Sequence, residues 1–268
     1  MDQLGIEEIS DLLKVTHHLA DLSGKEILPY FRTIISVDNK EGKGLFDPVT
    51  KADRDAESMI RAFLNIHHKE ESVYGEEFGF DQKPSDLCWI IDPIDGTRAF
   101  MLGSPLWGTL IGVNFKDAPL IGLMNQPFTK ERFWASPEGA FGRWQDKERR
   151  LRVRTCNDLS DAVITTTCPD HFATKEDLER FDRLRHHCKM TRFGGDCYNY
   201  CLLAMGQIDL IAETGLAPFD IAPLIPIVSQ AGGVITDWSG GPAHKGGRVI
   251  AAGDPAIHEA ALRILSEG

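Results

Sequence analysis

Apolar residues at helical spacing open the chain. The segment from Ile6 to Ile27 repeats them on one helix face and ends just before Pro29, which predicts an amphipathic helix. The repeated residues are Ile9, Leu12, Leu13, Leu19 and Leu22. A second helical pattern runs from Asp47 to Asn65. Within it, Thr50 and Asp53 have the spacing of a capping box.

Continuous apolar runs then replace the helical pattern. Leu87–Ile91 is such a run and is followed by Asp92-Pro93, which predicts a buried strand that ends at a turn. Further strands are predicted at Leu106–Phe115, Leu120–Gln126 and Arg132–Ser136. The charged stretch Gln145–Arg150 is predicted to be an exposed turn. We place an internal boundary there, between halves 1–150 and 151–268 of one compact catalytic unit.

Helices and strands alternate in the second half. Strands are predicted at 162–167, 208–213, 233–237 and 249–253, and helices at 175–188, 198–205 and 218–230. Asp254 and Pro255 then offer an N-cap and a first-turn proline to a last helix that ends near Ser266. This mixture favours an α/β protein with stacked layers of helix and sheet.

Composition narrows the classes of function. The chain has 268 residues, and its net charge of −11 argues against general affinity for nucleic acid or anionic membranes. No stretch reaches the roughly 18 apolar residues of a membrane span, and the first residues do not resemble a signal peptide, so we expect a cytoplasmic protein. The six cysteines lack CxxC spacing, and we expect reduced thiols.

The candidate metal-binding residues are acidic. Gly75-Glu76-Glu77 is followed by Asp92-Pro93-Ile94-Asp95-Gly96-Thr97, directly after the predicted strand. Two aspartates three residues apart can direct both carboxylates, and the Ile94 carbonyl between them, to one point. Oxygen ligands without histidine or thiolate suit Mg2+ or Mn2+.

Each of these residues also has an ordinary structural explanation. Asp-Pro and Asp-Gly are common in turns, so the motif at Asp92–Thr97 could be an Asx-type turn. Asp53 and Asp220 could each cap a helix, and Glu76 with Glu77 could solvate a loop. These explanations become improbable only when they are taken together.

The combination of motifs resembles the inositol monophosphatase family. The resemblance rests on VTKAD at Asp53, GEE at Glu76, DPIDGT at Asp92–Thr97, and Phe219-Asp220 followed by IVSQAGG, in that order from about Val49 to Gly253. It implies a layered αβαβα sandwich of the inositol monophosphatase and fructose-1,6-bisphosphatase type. It also implies a homodimer and roughly two or three Mg2+ ions per site, with Mn2+ as an alternative.

The resemblance also implies roles for individual residues. Glu76, Asp92 and the Ile94 carbonyl would hold one metal ion, and Asp92, Asp95 and Asp220 a second. Asp53, Glu76 and Thr97 are the implied catalytic residues, of which Asp53 and Thr97 would orient or deprotonate the attacking water. Gly96 and Thr97 would offer backbone N–H groups to the phosphate. Lys40 and Lys43 could also reach the site, and their contribution is left open.

GGDCYNY at Gly194–Tyr200 and DPIDGTRAF resemble the histidinol-phosphate phosphatase branch of this family. This resemblance implies an ammonium-bearing phosphomonoester, with Gly195, Asp196, Glu213 and Asp220 in the substrate site. Asp196 could instead cap the following helix. Phosphatases of inositol, other polyol or nucleotide phosphates, and a regulatory binding protein that retains the fold, remain as alternatives.

Overall fold

The computed structural model describes residues 4–33, 37–39 and 48–267. The described residues form helices α1 (Ile6–Ile27), α2 (Lys51–His67), α3 (Thr97–Met101), α4 (Lys175–His186), α5 (Asp196–Ala204), α6 (Pro218–Ile221), α7 (Leu224–Gln230) and α8 (Pro255–Ser266). They form strands β1 (Val37–Asn39), β2 (Pro48–Thr50), β3 (Ser72–Gly75), β4 (Gly79–Asp81), β5 (Leu87–Asp95), β6 (Gly108–Phe115), β7 (Ala118–Gln126), β8 (Glu131–Ser136), β9 (Gly139–Trp144), β10 (Lys147–Arg150), β11 (Val163–Thr166), β12 (Met190–Phe193), β13 (Leu210–Leu216), β14 (Val234–Asp237) and β15 (Gly247–Ala252). Lys40 and Lys43 lie outside the described residues.

Two large sheets organise the chain. The first has eight strands in the order β10-β9-β8-β7-β6-β5-β3-β4 and is antiparallel except between β3 and β5. The second has five strands in the order β12-β11-β13-β15-β14, of which β12, β11 and β13 run parallel. A two-stranded ribbon, β1 with β2, precedes α2.

Helices cover both faces of the two sheets. Helices α1 and α2 pack on the first sheet around Leu19, Ile60 and Trp89. Helices α5 and α7 lie between the sheets, where residues from both sheets join one core. Helices α4 and α8 cover the outer face of the second sheet around Phe181 and Ile250. The order of layers is therefore αβαβα, as the resemblance implied.

Local signals identified most elements, and the differences from the prediction include four with a clear physical cause. Helix α2 begins at Lys51 with Thr50 as its N-cap, so the residues before it are strand β2, and the predicted start at Asp47 lies outside the described residues. Gln145 and Asp146, with φ of 53° and 56°, form the turn of a β-hairpin. The remainder of the predicted exposed turn is β10, because this tight turn returns the chain alongside β9.

The other two differences involve proline. Strand β5 does not end at Asp92-Pro93 but continues to Asp95, since a bulge accommodates the proline, which has no N–H to donate. The predicted helix 218–230 is two helices, α6 and α7, because Pro223 cannot continue the hydrogen bonding of α6. The breaks lie beside Asp92 and Asp220, so both shape the site.

All six cysteines are free thiols, as expected. Among the described residues, no helix is both long and apolar enough to cross a membrane. The division into halves 1–150 and 151–268 stays a prediction.

Candidate active site

A bulge at the end of β5 brings the two motif aspartates together. Asp92 pairs with Leu110 and Asp95 with Gly108, so β5 has one residue more than β6 over this interval. Thr109 fixes the bulge by donating its hydroxyl to the Pro93 carbonyl at 2.8 Å. The amide of Ile94 donates to Asp92 Oδ1 at 3.0 Å. Both carboxylates consequently line one cleft of about 580 Å3.

Asp220 completes an acidic cluster from the other half of the chain. One carboxylate oxygen each of Asp92, Asp95 and Asp220 lies within 4.8 Å of the others. Oδ2 of Asp220 accepts the amide of Ala217 at 2.7 Å, so Asp220 also caps the start of α6 from within. The prediction that Asp220 could cap the helix that follows it is wrong, since the N-cap of α7 is Pro223. Its bond within α6 does not prevent a role in the cluster.

Glu76 extends the cluster along the cleft. It lies in the turn between β3 and β4, and its amide donates to the Ile91 carbonyl at 3.1 Å. Burial, followed by the charges of Glu76, Asp95 and Asp220, raises the pKa of Asp92 well above its usual value. Burial and the charge of Asp220 raise the pKa of Asp95 to about 7. Such carboxylates cannot all ionise without a counter-charge, which is the property expected of a cation site.

Asp53 lies behind this cluster with its two oxygens in different surroundings. Its Oδ2 accepts the Thr50 amide at 2.8 Å, which confirms the capping box. Its Oδ1 is buried and has no hydrogen-bond partner. Burial, with a smaller contribution from the charge of Glu76, raises the pKa of Asp53 to about 6 despite the bonds from Thr50. Asp53 therefore caps α2 and still presents an unused buried acceptor.

The turn after Asp95 places Gly96 and Thr97 on the cleft wall. Gly96 has φ of 86°, and a Cβ there would lie 3.0 Å from the Leu106 carbonyl oxygen, so glycine is required. The Thr97 hydroxyl donates to the Ile94 carbonyl at 3.1 Å. That carbonyl oxygen has a second lone pair, which leaves it able to coordinate a cation.

Two further carboxylates line the cleft beside this cluster. Asp196 is the first residue of α5, and the N-cap is Gly195, so the prediction that Asp196 could cap this helix is wrong. Burial, then the charges of Asp95 and Glu213, raise the pKa of Asp196 to about 8. Glu213 is 5% exposed and is held by the Thr167 amide and hydroxyl and by the Tyr200 hydroxyl, at 2.9, 2.6 and 2.8 Å.

Of the predicted site residues, all of which are described, only Asp53 and Gly195 do not line the cleft. Gly195 has φ of 122° and a Cβ there would clash with Asn199, so its observed contribution is the turn that presents Asp196. Asp170 and His171 also line the cleft and were not predicted. Arg98, which the sequence identified only as part of the DPIDGTRAF resemblance and gave no role in the site, lines it as well. Arg98 contacts His171 Nε2, and burial together with the charge of Arg98 lowers the pKa of that imidazole. No sequence signal joins residues this far apart.

Comparison with known proteins gives a consistent picture. The profile described as the inositol monophosphatase family matches residues 8–268. A protein named bifunctional phosphatase IMPL2, chloroplastic, from Arabidopsis thaliana is 36% identical, over 98% of this chain and 77% of its own length. A Streptomyces coelicolor protein named histidinol-phosphatase is 34% identical, over 96% and 97% of the two chains.

A solved structure shares both fold and sequence. It is an inositol monophosphatase from Zymomonas mobilis, 39% identical, which superimposes with a TM-score of 0.85 over 96% of this chain and 98% of that one. The profile matches nearly the whole chain. The layered fold and the acidic cluster at the β5 bulge are consistent with that match. The chain therefore belongs to the inositol monophosphatase family.

Proposed function

We propose that this chain is a Mg2+-dependent phosphomonoesterase that hydrolyses L-histidinol phosphate to L-histidinol and phosphate. The observation that carries the proposal is that one cleft is lined both by the acidic cluster and by the further carboxylates of Asp196 and Glu213. Members of the family use Mg2+, and a relative at 34% identity bears the name histidinol-phosphatase.

The metal-binding residues in this proposal are Glu76, Asp92, Asp95, Asp220 and the Ile94 carbonyl. Their oxygens suit a hard cation, and burial beside other carboxylates raises the pKa values of Asp92 and Asp95, as expected where a cation would balance the charge. When bound, Mg2+ would lower the pKa of a water molecule and neutralise charge on the phosphoryl and leaving oxygens.

Asp53 and Thr97 orient or deprotonate the attacking water. The buried Oδ1 of Asp53 lacks a partner, and a pKa of about 6 leaves it mostly ionised at neutral pH, as a general base requires. The Thr97 hydroxyl donates its proton to the Ile94 carbonyl, so its oxygen lone pairs are oriented away from that bond and can accept from water. The turn at Gly96 presents backbone N–H groups to the phosphate.

Substrate choice rests on charge at the leaving-group side. Asp196 has a raised pKa because it is buried close to Asp95 and Glu213, so an ionised Asp196 gains from a cation placed beside it. Histidinol phosphate brings an ammonium and a titratable imidazole to this place. Inositol phosphate brings only neutral hydroxyls, which compensate desolvated carboxylates less well.

A panel of substrates tests the proposal. Purified protein with Mg2+ is assayed for phosphate release from histidinol phosphate, inositol 1-phosphate, a 3′-phosphonucleotide and fructose 1,6-bisphosphate, and the substrates are ranked by kcat/KM. We expect histidinol phosphate to rank first. An equal or higher value for inositol 1-phosphate would assign the cleft to polyol phosphates. No release from any ester would favour a binding protein that retains the fold.

A further inference from the structure

A second buried carboxylate on α2 contacts the turn that carries Glu76. Glu57 follows Asp53 by one helical turn, and its side chain is fully buried. Its Oε2 accepts the Glu77 amide at 2.7 Å, and its Oε1 accepts the Phe78 amide at 3.3 Å. A buried carboxylate that binds consecutive backbone amides fixes the conformation of the turn to which they belong.

Arg61 and Gly75 complete the arrangement. Arg61 Nε donates to Glu57 Oε1 at 2.7 Å and neutralises its charge, and the guanidinium also donates to the Gly79 carbonyl at the far end of the turn. A Cβ on Gly75 would lie 2.1 Å from Glu57 Oε1. The carboxylate thus occupies the space that any side chain at position 75 would need, and the turn closes around it.

We infer that Glu57 is a positioning residue that holds Glu76 against Asp92 and so sets the affinity of the acidic cluster for divalent cations. The turn is anchored on one side by the bond from the Glu76 amide to Ile91 of β5, and on the other by Glu57 of α2. The same helix carries Asp53, so the water-orienting carboxylate and the Glu76 turn share one support. The inference rests on the proposed function in taking Glu76 as a metal ligand.

A residue that orients a metal ligand, as Glu57 is proposed to do, is expected to affect metal affinity as well as the stability of the fold. Loss of a residue that orients a metal ligand lowers metal affinity by about 10- to 100-fold. Glu57→Gln keeps the size of the side chain but removes its charge and places an amide among backbone donors. We expect the dissociation constant for Mn2+ to rise by about tenfold or more.

Asp209 provides a matched control. It is also a buried carboxylate that pairs with an arginine, Arg154, and accepts a backbone amide, that of Val163 at 2.8 Å. Neither Asp209 nor Arg154 lines the cleft. Asp209→Asn therefore removes the same chemistry elsewhere, so it reports what a general loss of stability does to metal binding.

The experiment measures Mn2+ binding to the metal-stripped full chain, without substrate, by the electron paramagnetic resonance signal of the free ion. A rise in the dissociation constant of at least about fivefold in Glu57→Gln, absent in Asp209→Asn, supports the inference. A smaller rise, or an equal rise in both variants, overturns it. Glu76→Gln is measured in parallel, because unchanged Mn2+ binding in that variant would refute the role of Glu76 in the proposed function as well.

Gly75→Ala keeps the inference testable if Glu57→Gln does not fold. It leaves every carboxylate in place, and its added Cβ must displace either the Glu57 carboxylate or the turn. We expect the same weakening of Mn2+ binding. Wild-type affinity in folded Gly75→Ala would show that the placement of this turn does not control the metal site.

Discussion

Substitution of Asp53 by asparagine separates its two roles. Asparagine has nearly the same size and keeps one carbonyl oxygen for the Thr50 amide, which now donates to Asp53 Oδ2 at 2.8 Å. It removes the negative charge and the acceptor at the buried Oδ1 position, which no protein group uses. The variant should therefore keep the cap of α2 while losing the group proposed to act on water.

The effect on stability follows from the pKa of Asp53, which burial raises from 3.8 to about 6. Between these values the folded protein holds a proton that the unfolded chain releases, so stability falls as pH rises, and the cost is complete above about pH 6. A shift of about two units corresponds to about 3 kcal/mol. A weaker cap should cost Asp53→Asn about 1 kcal/mol. At pH 8, the metal-free variant is thus expected to be more stable than the wild type, by about 2 kcal/mol at most.

Urea denaturation in the presence of a chelator, at pH 8 and at pH 4, measures the free energy of unfolding of the variant and the wild type. Activity assays with saturating Mg2+ measure kcat. At pH 4 the advantage should vanish, because Asp53 is then protonated in the folded wild type. We expect kcat to fall about 100-fold or more. A variant that is less stable than the wild type at pH 8 and keeps most of its kcat would show that Asp53 only caps the helix.

Three further predictions concern the cleft. Asp92→Asn should lower kcat by more than about tenfold with an unchanged circular dichroism spectrum, since it removes a charge shared by the proposed metal ions; a kcat above a tenth of wild type would refute this. Asp196→Asn should lower kcat/KM for histidinol phosphate at least tenfold, about 1.4 kcal/mol, and change a neutral ester much less. Asparagine tolerates the φ of 45° at this position, so equal losses on both substrates would contradict the charge argument. In a chelator, the melting temperature should fall from pH 5 to pH 8, because the pKa values of Asp95 and Asp196 are raised to about 7 and about 8, and a flat or rising profile would refute this assignment.

Several features set by local sequence were predicted correctly. Helix α1 has the predicted bounds, Ile6–Ile27, because one apolar face and a following proline determine both packing and termination. The capping box of Thr50 and Asp53 is likewise a contact between residues three apart. The acidic cluster could be anticipated because DPIDGT places two of its members within four positions, and the family resemblance supplied Asp220.

Features set by tertiary contacts were not predictable in this way. The β5 bulge depends on Thr109 of the neighbouring strand, which binds the Pro93 carbonyl, so the motif alone looks like a turn. The structural role of Glu57 depends on its hydrogen bonds from the amides of Glu77 and Phe78, which lie 20 and 21 positions later in the chain. In the sequence it is only one acidic residue on a polar helix, and a solvated face is the usual explanation for such a residue.

Protons and divalent cations can each reduce the repulsion between the carboxylates of this cleft. Glu76, Asp92, Asp95 and Asp220 are fixed by the β5 bulge, the Glu76 turn and α6, so they cannot move apart when they ionise. Without a cation, the cleft relieves their repulsion by retaining protons, which is why the pKa values of Asp92 and Asp95 are raised. Cation binding must expel those protons, so affinity for Mg2+ should increase with pH. In a protein of net charge −11, a phosphate dianion should approach these carboxylates only after that exchange, so the proposed phosphate site depends on the cations that the cluster is proposed to hold.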